Sequence, residues 1–150
     1  NDKRRGKNHK QVKRTLYSLH EQTMERKIRI IAGTVTAEAA LKADSPTADA
    51  VWNALPLTAM VNLWGDEIYF TVPVSLGPDL HAREIVERGD LGYWPDGPAF
   101  CIFFGPTPIS SAGVIRPAGA VNIFGRIIGS PEVFKQVASR APIRVEKVEA

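Results

Sequence analysis

Apolar and polar positions alternate most clearly in residues 57–72, Leu-Thr-Ala-Met-Val-Asn-Leu-Trp-Gly-Asp-Glu-Ile-Tyr-Phe-Thr-Val. Period-two alternation on both sides of Gly65-Asp66 predicts a β-hairpin, and glycine at the first loop position suits a type II′ turn. Trp64 then faces Glu67, and counting outward pairs Leu63 with Ile68, Asn62 with Tyr69, Val61 with Phe70 and Met60 with Thr71. One face of this ladder, Ala59, Val61, Leu63, Ile68, Phe70 and Val72, has the composition of a core. The other carries Met60, Asn62, Trp64, Glu67, Tyr69 and Thr71. Its mixture of aromatic, amide, carboxylate and hydroxyl groups fits two readings equally: a binding wall, or an outward face half covered by a loop.

The rest of the chain reads as further short strands and two helices. Residues 27–31 and 34–41 form a first hairpin around Gly33, although Ala37 to Ala40 also suits a helix. Ser45 and Pro46 are a helix start, with Ala48, Val51, Trp52 and Leu55 as the apolar stripe and Pro56 as the stop. Ser130-Pro131 repeats the device before Val133, Phe134 and Val137. Residues 89–108 hold a central hairpin: a strand ending in Tyr93-Trp94, a Pro-Asp-Gly-Pro turn, and residues 99–104, closed by Gly105-Pro106. The absence of polar alternation in residues 99–104 predicts a strand covered on both faces. Residues 73–82 and 107–119 read as loops, residues 83–88 as a helical turn or an edge, residues 120–128 as a strand bent at Gly125, and residues 143–148 as an edge or closing strand. About eight strands result, which suits a small closed barrel capped by two short helices.

Composition narrows what such a domain can do. At 150 residues the chain can bury a core without metals or disulfides. Its one cysteine, Cys101, cannot form an intrachain bridge, which is compatible with a reducing cytoplasm. No run approaches the roughly 18–20 apolar residues of a membrane span. The net charge of +3 is unevenly placed: residues 1–23 hold seven basic and two acidic side chains, leaving residues 24–150 at −2. The reading is therefore a basic, disordered extension over residues 1–23 and one domain over residues 24–150, with nucleic-acid binding confined to the tail. His81, the one histidine of the domain, and Cys101 have no metal-ligand spacing. Phosphate-loop and nucleophile-elbow motifs are absent, and no cofactor is expected.

Three segments resemble cyclophilin in chain order. They are the helix Ser-Pro-Thr-Ala-Asp-Ala-Val-Trp-Asn-Ala-Leu from Ser45, the strand Gly-Pro-Ala-Phe-Cys-Ile from Gly97, and Ile-Phe-Gly-Arg-Ile-Ile-Gly from Ile123 with the helix after it. The signatures Trp-Gly-Asp-Glu-Ile-Tyr-Phe from Trp64 and Gly-Asp-Leu-Gly-Tyr-Trp-Pro from Gly89 are similar to those of small prokaryotic cyclophilin-like proteins. The resemblance covers residues 25–148. It implies an eight-stranded barrel with two helices, in a family without an agreed biochemical role.

A shared fold does not carry an activity, so function is read from the residues. The resemblance implies a prolyl-isomerase wall, and the departures from it are specific. The hairpin of residues 61–70 has no arginine or lysine, Cys101 stands at the pocket phenylalanine, Val121 at the pocket histidine, and Ala99 at the glutamine. What remains is Met60, Asn62, Trp64, Glu67 and Tyr69, with Cys101 and Phe103 from the neighbouring strand. Glu67 offers a charge partner or general base, Trp64 and Tyr69 stacking surfaces, and Asn62 a two-sided hydrogen-bonding group. The expected role is a module binding a peptide or small molecule on the outer wall of the barrel. An enzyme using Glu67 with Tyr69 comes second and a weak prolyl isomerase third. A Trp-Tyr surface equally suits a homodimer patch.

Overall fold

The computed structural model describes residues 26–149. The basic segment 1–23 lies outside the described residues. The first hairpin forms as the alternation predicts, with β1 (Lys27–Ala32) pairing with β2 (Val35–Leu41) from Lys27↔Ala40 to Ala32↔Val35. The run of alanines at 37–40 is therefore strand, held between β1 and the ninth strand. Helix α1 (Pro46–Ala54) follows, and the Ser45 hydroxyl accepts the Ala48 N–H at 2.8 Å, satisfying one of the free amides of the first turn. Ser45→Ala is expected to lower stability by about 1 kcal/mol, read from the midpoint of urea unfolding.

The remaining strands are β3 (Leu57–Met60), β4 (Asn62–Leu63), β5 (Glu67–Thr71), β6 (Ala82–Arg83), β7 (Asp90–Trp94), β8 (Ala99–Phe103), β9 (Val121–Ile128) and β10 (Pro142–Val148). A 3₁₀ segment, Pro131–Gln136, takes the place of the second helix, with Ser130 accepting the Glu132 N–H. All pairings are antiparallel, in the order β3-β10-β1-β2-β9-β7-β8-β5-β4, and β6 lies beside β9.

Two expectations change. The described residues form ten strands rather than eight, and the hydrogen-bonded path is open, running from β3 to β4. One cause lies at Val61. Its N–H goes to Ala141 O and its carbonyl accepts from Arg140 N, both at 2.8 Å, so residues 57–63 split into β3 on β10 and β4 on β5. The pairs Leu63↔Ile68 and Asn62↔Tyr69 form, whereas Val61↔Phe70 and Met60↔Thr71 do not. Leu63, although paired as counted, lies on β4 at the end of the path and is 36% exposed rather than core. The other cause is the two-residue β6, at the junction of the expected loop of residues 73–82 and the segment 83–88 that reads as a helical turn or an edge. β10 is an interior strand between β1 and β3, not an edge.

Both faces of β8 are covered, as its unbroken apolar run requires. Phe100 and Ile102 point into the main core, where Phe100 stacks on Phe70 at 4.9 Å and meets Phe124 edge-on at 5.2 Å. Fully burying each such ring contributes about 1.5–3 kcal/mol. Ala99, Cys101 and Phe103 point the other way, into a smaller cluster with Val86, Ile115, Val121 and Ile123 beneath the loop of residues 107–119. In β9 the pairing shifts between Leu91↔Gly125 and Gly92↔Ile123, a bulge beside the glycine that marked it.

A buried polar network fixes the loop of residues 73–81. The Asn122 amide accepts from Asp79 N at 2.9 Å and donates to Thr47 Oγ1 at 3.1 Å and Gly77 O at 3.0 Å. Thr47 in turn donates to Asp79 Oδ2 at 2.7 Å. Tyr93, fully buried, donates to Val74 O at 2.6 Å and accepts from Leu76 N at 3.1 Å.

Candidate functional site

The smaller cluster leaves a cleft open on the outer face of the sheet. Register decides which side chains reach it. Tyr69 is paired with Cys101 and Glu67 with Phe103, so all four share one face of β5 and β8, and Glu67 lies diagonal to Cys101. On β7, Gly92 pairs with Cys101 and Trp94 with Ala99, which puts Trp94 on the same side. Gly92 has no room for a side chain there, because a Cβ would lie 2.8 Å from Val121 Cγ2.

The cleft measures about 300 Å³. Glu67, Cys101 and Val121, all buried, form its floor, while Trp64, Tyr69 and Trp94 with Pro117 and Ala118 form its sides. Of the seven residues expected at the site, Trp64, Glu67, Tyr69 and Cys101 therefore meet around one cavity. Phe103 lies fully buried under it. Met60 is 45% exposed away from the cleft, because the chain leaves the ladder at Val61. Asn62 is committed elsewhere, donating to Tyr69 O at 3.3 Å and accepting from Arg140 at 3.1 Å.

Trp94, Val121, Pro117 and Ala118 are additions to the expected site residues. Strand parity could have placed Trp94, since pairing it with Ala99 across the Pro-Asp-Gly-Pro turn sets it on the Cys101 face. Pro117 and Ala118 come from a loop whose conformation no periodicity encodes. That loop is built on Ser110, whose hydroxyl accepts from Thr107 N at 2.9 Å and Arg116 N at 3.0 Å. Thr107 Oγ1 also donates to Arg116 O. Ser110 is thus an anchor of the loop.

The hairpin tip that carries Trp64 and Glu67 is clamped. Asp66 N donates to Pro106 O and Phe104 N donates to Asp66 O, both at 2.9 Å. Gly65 has φ +60, and a Cβ there would sit 2.9 Å from Pro106 O, so the turn and the close approach both require glycine.

Electrostatically the cleft is a carboxyl in an apolar setting. None of its lining residues is arginine, lysine or histidine. Glu67 is 6% exposed and its Oε1 has no hydrogen-bond partner. Burial pushes its carboxyl from the ordinary 4.5 up to about 7, against a smaller lowering by the Cys101 thiol. Burial, with the Glu67 charge beside it, pushes the Cys101 thiol well above its ordinary range, so it is a neutral donor rather than a thiolate.

His81 lies elsewhere, with its Nε2 3.1 Å from Asp44 O. It lines a separate polar cleft of about 330 Å³ with Lys42, Arg83 and the Asp90–Arg126 ion pair, 2.8 Å long. Among the described residues no group of three His, Cys, Asp or Glu side chains is placed to hold a metal, and no helix is long and apolar enough to cross a membrane.

Comparison with known proteins agrees with this architecture. The chain is similar to the hypothetical protein AF2241 of Archaeoglobus fulgidus, known from its solution structure. The two are 41% identical over 84% of this chain and 97% of that one, with a TM-score of 0.72. Comparison with curated proteins gives no match. The family model described as Cyclophilin-like matches residues 26–146, from the start of β1 through most of β10. The helix, the signature hairpins and all of the sheet but the last two residues of β10 fall within that match, and the chain belongs to the cyclophilin-like family.

Proposed function

We propose that the domain binds a small molecule or a peptide side chain in the cleft between Trp64 and Trp94, through an apolar body and one cationic or N–H-bearing group directed at Glu67. The observation that carries this reading is the Glu67 carboxyl. It lines the cleft, is 6% exposed, and leaves one oxygen without a partner. A buried polar group in that state is costly, and a ligand that donates a hydrogen bond to the carboxyl offsets the cost. Trp64, Tyr69 and Trp94 add aromatic surface that favours a flat or cationic group.

Binding is favoured over prolyl isomerisation by the lining itself. Turning a prolyl amide means lowering a barrier of roughly 18–20 kcal/mol, which cyclophilins do with a cation near the amide nitrogen. This lining holds no cation, and Cys101 and Val121 occupy the floor. We read the open sheet as the family's barrel, its two ends joined through Val61, with the cleft on the outer wall. The single buried thiol suits a reducing cytoplasm.

Benzamidine, benzamide and benzoate test the reading, because they share a ring and differ in charge. By protein-observed NMR at pH 8, benzamidine is expected to bind at least about tenfold more tightly than benzamide, the gain of a charge-assisted hydrogen bond. Benzoate is expected not to bind. Glu67→Gln should erase the preference for the cation, and Trp94→Ala should weaken benzamidine and benzamide alike. Equal affinity for benzoate, or shifts confined to other surfaces, would overturn the proposal.

A further inference from the structure

We infer that the cleft is also a proton-abstracting site, in which the Glu67 carboxylate acts as general base on a C–H bond of a small planar substrate. The inference rests on the reading of the cleft as a ligand site and goes beyond it to a reaction. Three observations carry it. Glu67 is buried among lining groups that include no cation, so nothing neutralises its charge when it ionises. Its Oε1 has no hydrogen-bond partner, so the carboxylate lacks the solvation that makes an exposed carboxylate a weak base. It also opens onto about 300 Å³ of largely apolar space, enough for one or two fused rings.

The titratable groups that face it are Cys101 on β8, a neutral thiol, and Tyr69 on its own strand. A carboxyl that titrates at about 7 is half ionised at neutral pH and can accept a proton and return it, the range in which general acid–base catalysis is most efficient. Cys101 can donate to the carboxyl, and the Tyr69 hydroxyl and the two indole N–H groups are the side-chain donors of the lining that a developing anion could use. The substrate class is a small planar molecule whose C–H is made acidic by an adjacent carbonyl or imine. Glu67 takes the proton, the C–H electron pair moves into the carbonyl or imine, and return of the proton to a neighbouring atom completes a shift that needs no co-reactant.

A nitrobenzisoxazole is the probe, because its opening needs only a base. Glu67 removes the ring C–H proton, the electron pair of that bond becomes part of the nitrile, the N–O bond breaks, and the oxygen leaves as a coloured phenolate. Wild-type protein is expected to open it at least about 100-fold faster than acetate at the same carboxylate concentration, the lower end of general-base contributions. The rate should rise with pH to a plateau above about 7, the range set by the buried carboxyl. Glu67→Gln should remove the enhancement while leaving the protein folded, with a melting temperature no lower than that of wild type. If that variant does not fold, the wild-type pH profile separates Glu67 from surface carboxylates, which would reach their plateau by about pH 5, and from lysines, which would show none below about 9. A His9→Gln/His20→Gln/His81→Gln variant, expected to keep the enhancement, separates it from the histidines, which titrate near about 6.5, and loss of the enhancement there would overturn the inference.

NMR titration with the same probe separates the two readings. A probe that shifts Trp94 and Tyr69 but opens no faster than in acetate overturns the proton-abstraction inference and leaves the binding site standing. A probe that shifts neither overturns the proton-abstraction inference, and the benzamidine titration then decides the binding reading separately. A rate unchanged in Glu67→Gln places the base elsewhere and overturns this inference.

Discussion

Glu67→Gln is expected to stabilise the domain at pH 8 by on the order of 3 kcal/mol and to leave its stability at pH 4 nearly unchanged. The sign follows from burial. In the folded protein the carboxyl titrates at about 7 against an ordinary 4.5, so between those values the folded state holds a proton that the unfolded chain has released. Stability from this group is therefore complete below 4.5 and is lost as pH rises through 7, each unit of difference being worth about 1.36 kcal/mol. Glutamine keeps the shape and cannot ionise, so it escapes the loss. Asp90, 7% exposed, acts in the same direction: burial raises its pKa, against the lowering by its hydrogen bond from Glu87 N and by the Arg126 charge. Comparing the variant with wild type at each pH cancels the Asp90 contribution. Urea unfolding at pH 4, 6 and 8 reads the difference, and a constant gap between the two proteins across that range would mean that Glu67 is not desolvated. A domain that keeps such a carboxyl at the floor of a cleft gives up stability for it, as functional sites commonly do.

Much of this site is legible in the chain, because strand parity is arithmetic. Gly65-Asp66 fixes one pairing, and from it Glu67 and Tyr69 fall on one side and Ile68 and Phe70 on the other, as the structure has them. Counting fails where the backbone leaves the ladder. Nothing in Met60-Val61-Asn62 marks the switch by which Val61 gives its hydrogen bonds to residues 140 and 141, which lie nearly 80 positions away in sequence. Parity alone puts Leu63 in the core and Met60 at the site; Met60 misses because of this switch, whereas Leu63, still paired with Ile68, is exposed because β4 is the last strand of the path. Trp94 is within reach of the same arithmetic, but it sits in a signature stretch, residues 89–108, that reads as framework. Pro117 and Ala118 are out of reach, since the loop that presents them is shaped by Thr107 and Ser110 hydrogen bonds rather than by any pattern.

The cleft is held at both ends by contacts that are not apolar, and this separates the site from the core that supports it. At one end residues 104 and 106 clamp the tip of the Trp64–Glu67 hairpin through two backbone hydrogen bonds. At the other, β9 presents Val121 to the cleft and, one residue on, turns Asn122 to the opposite face. Both faces of the strand are thus committed, one to the cleft and one to the fold.

Asn122→Ala is expected to cost on the order of 3 kcal/mol, well above the loss from removing the Ser45 cap. The amide is fully buried and satisfies three partners at once: Asp79 N, Thr47 Oγ1 and Gly77 O. Each net hydrogen bond contributes about 0.5–1.5 kcal/mol, and a buried partner left unpaired costs about 1–3 kcal/mol. The three losses are not independent, since Thr47 and Asp79 also bond each other at 2.7 Å, so the total falls short of their sum. Asn122→Asp should be at least as damaging at neutral pH. It keeps the acceptor for Asp79 N but loses both donations, and it sets a negative charge beside the Gly77 carbonyl and the Asp79 carboxylate. A double-mutant cycle with Thr47→Val reads the coupling directly: an interaction energy near zero would mean that Asn122 and Thr47 act separately. Hydrogen exchange supplies the second readout. In Asn122→Ala the amide of Asp79 should lose its protection before those of β7 and β8, because the Asp79 N–H bonds directly to this side chain and the ladder of β7 and β8 does not depend on it.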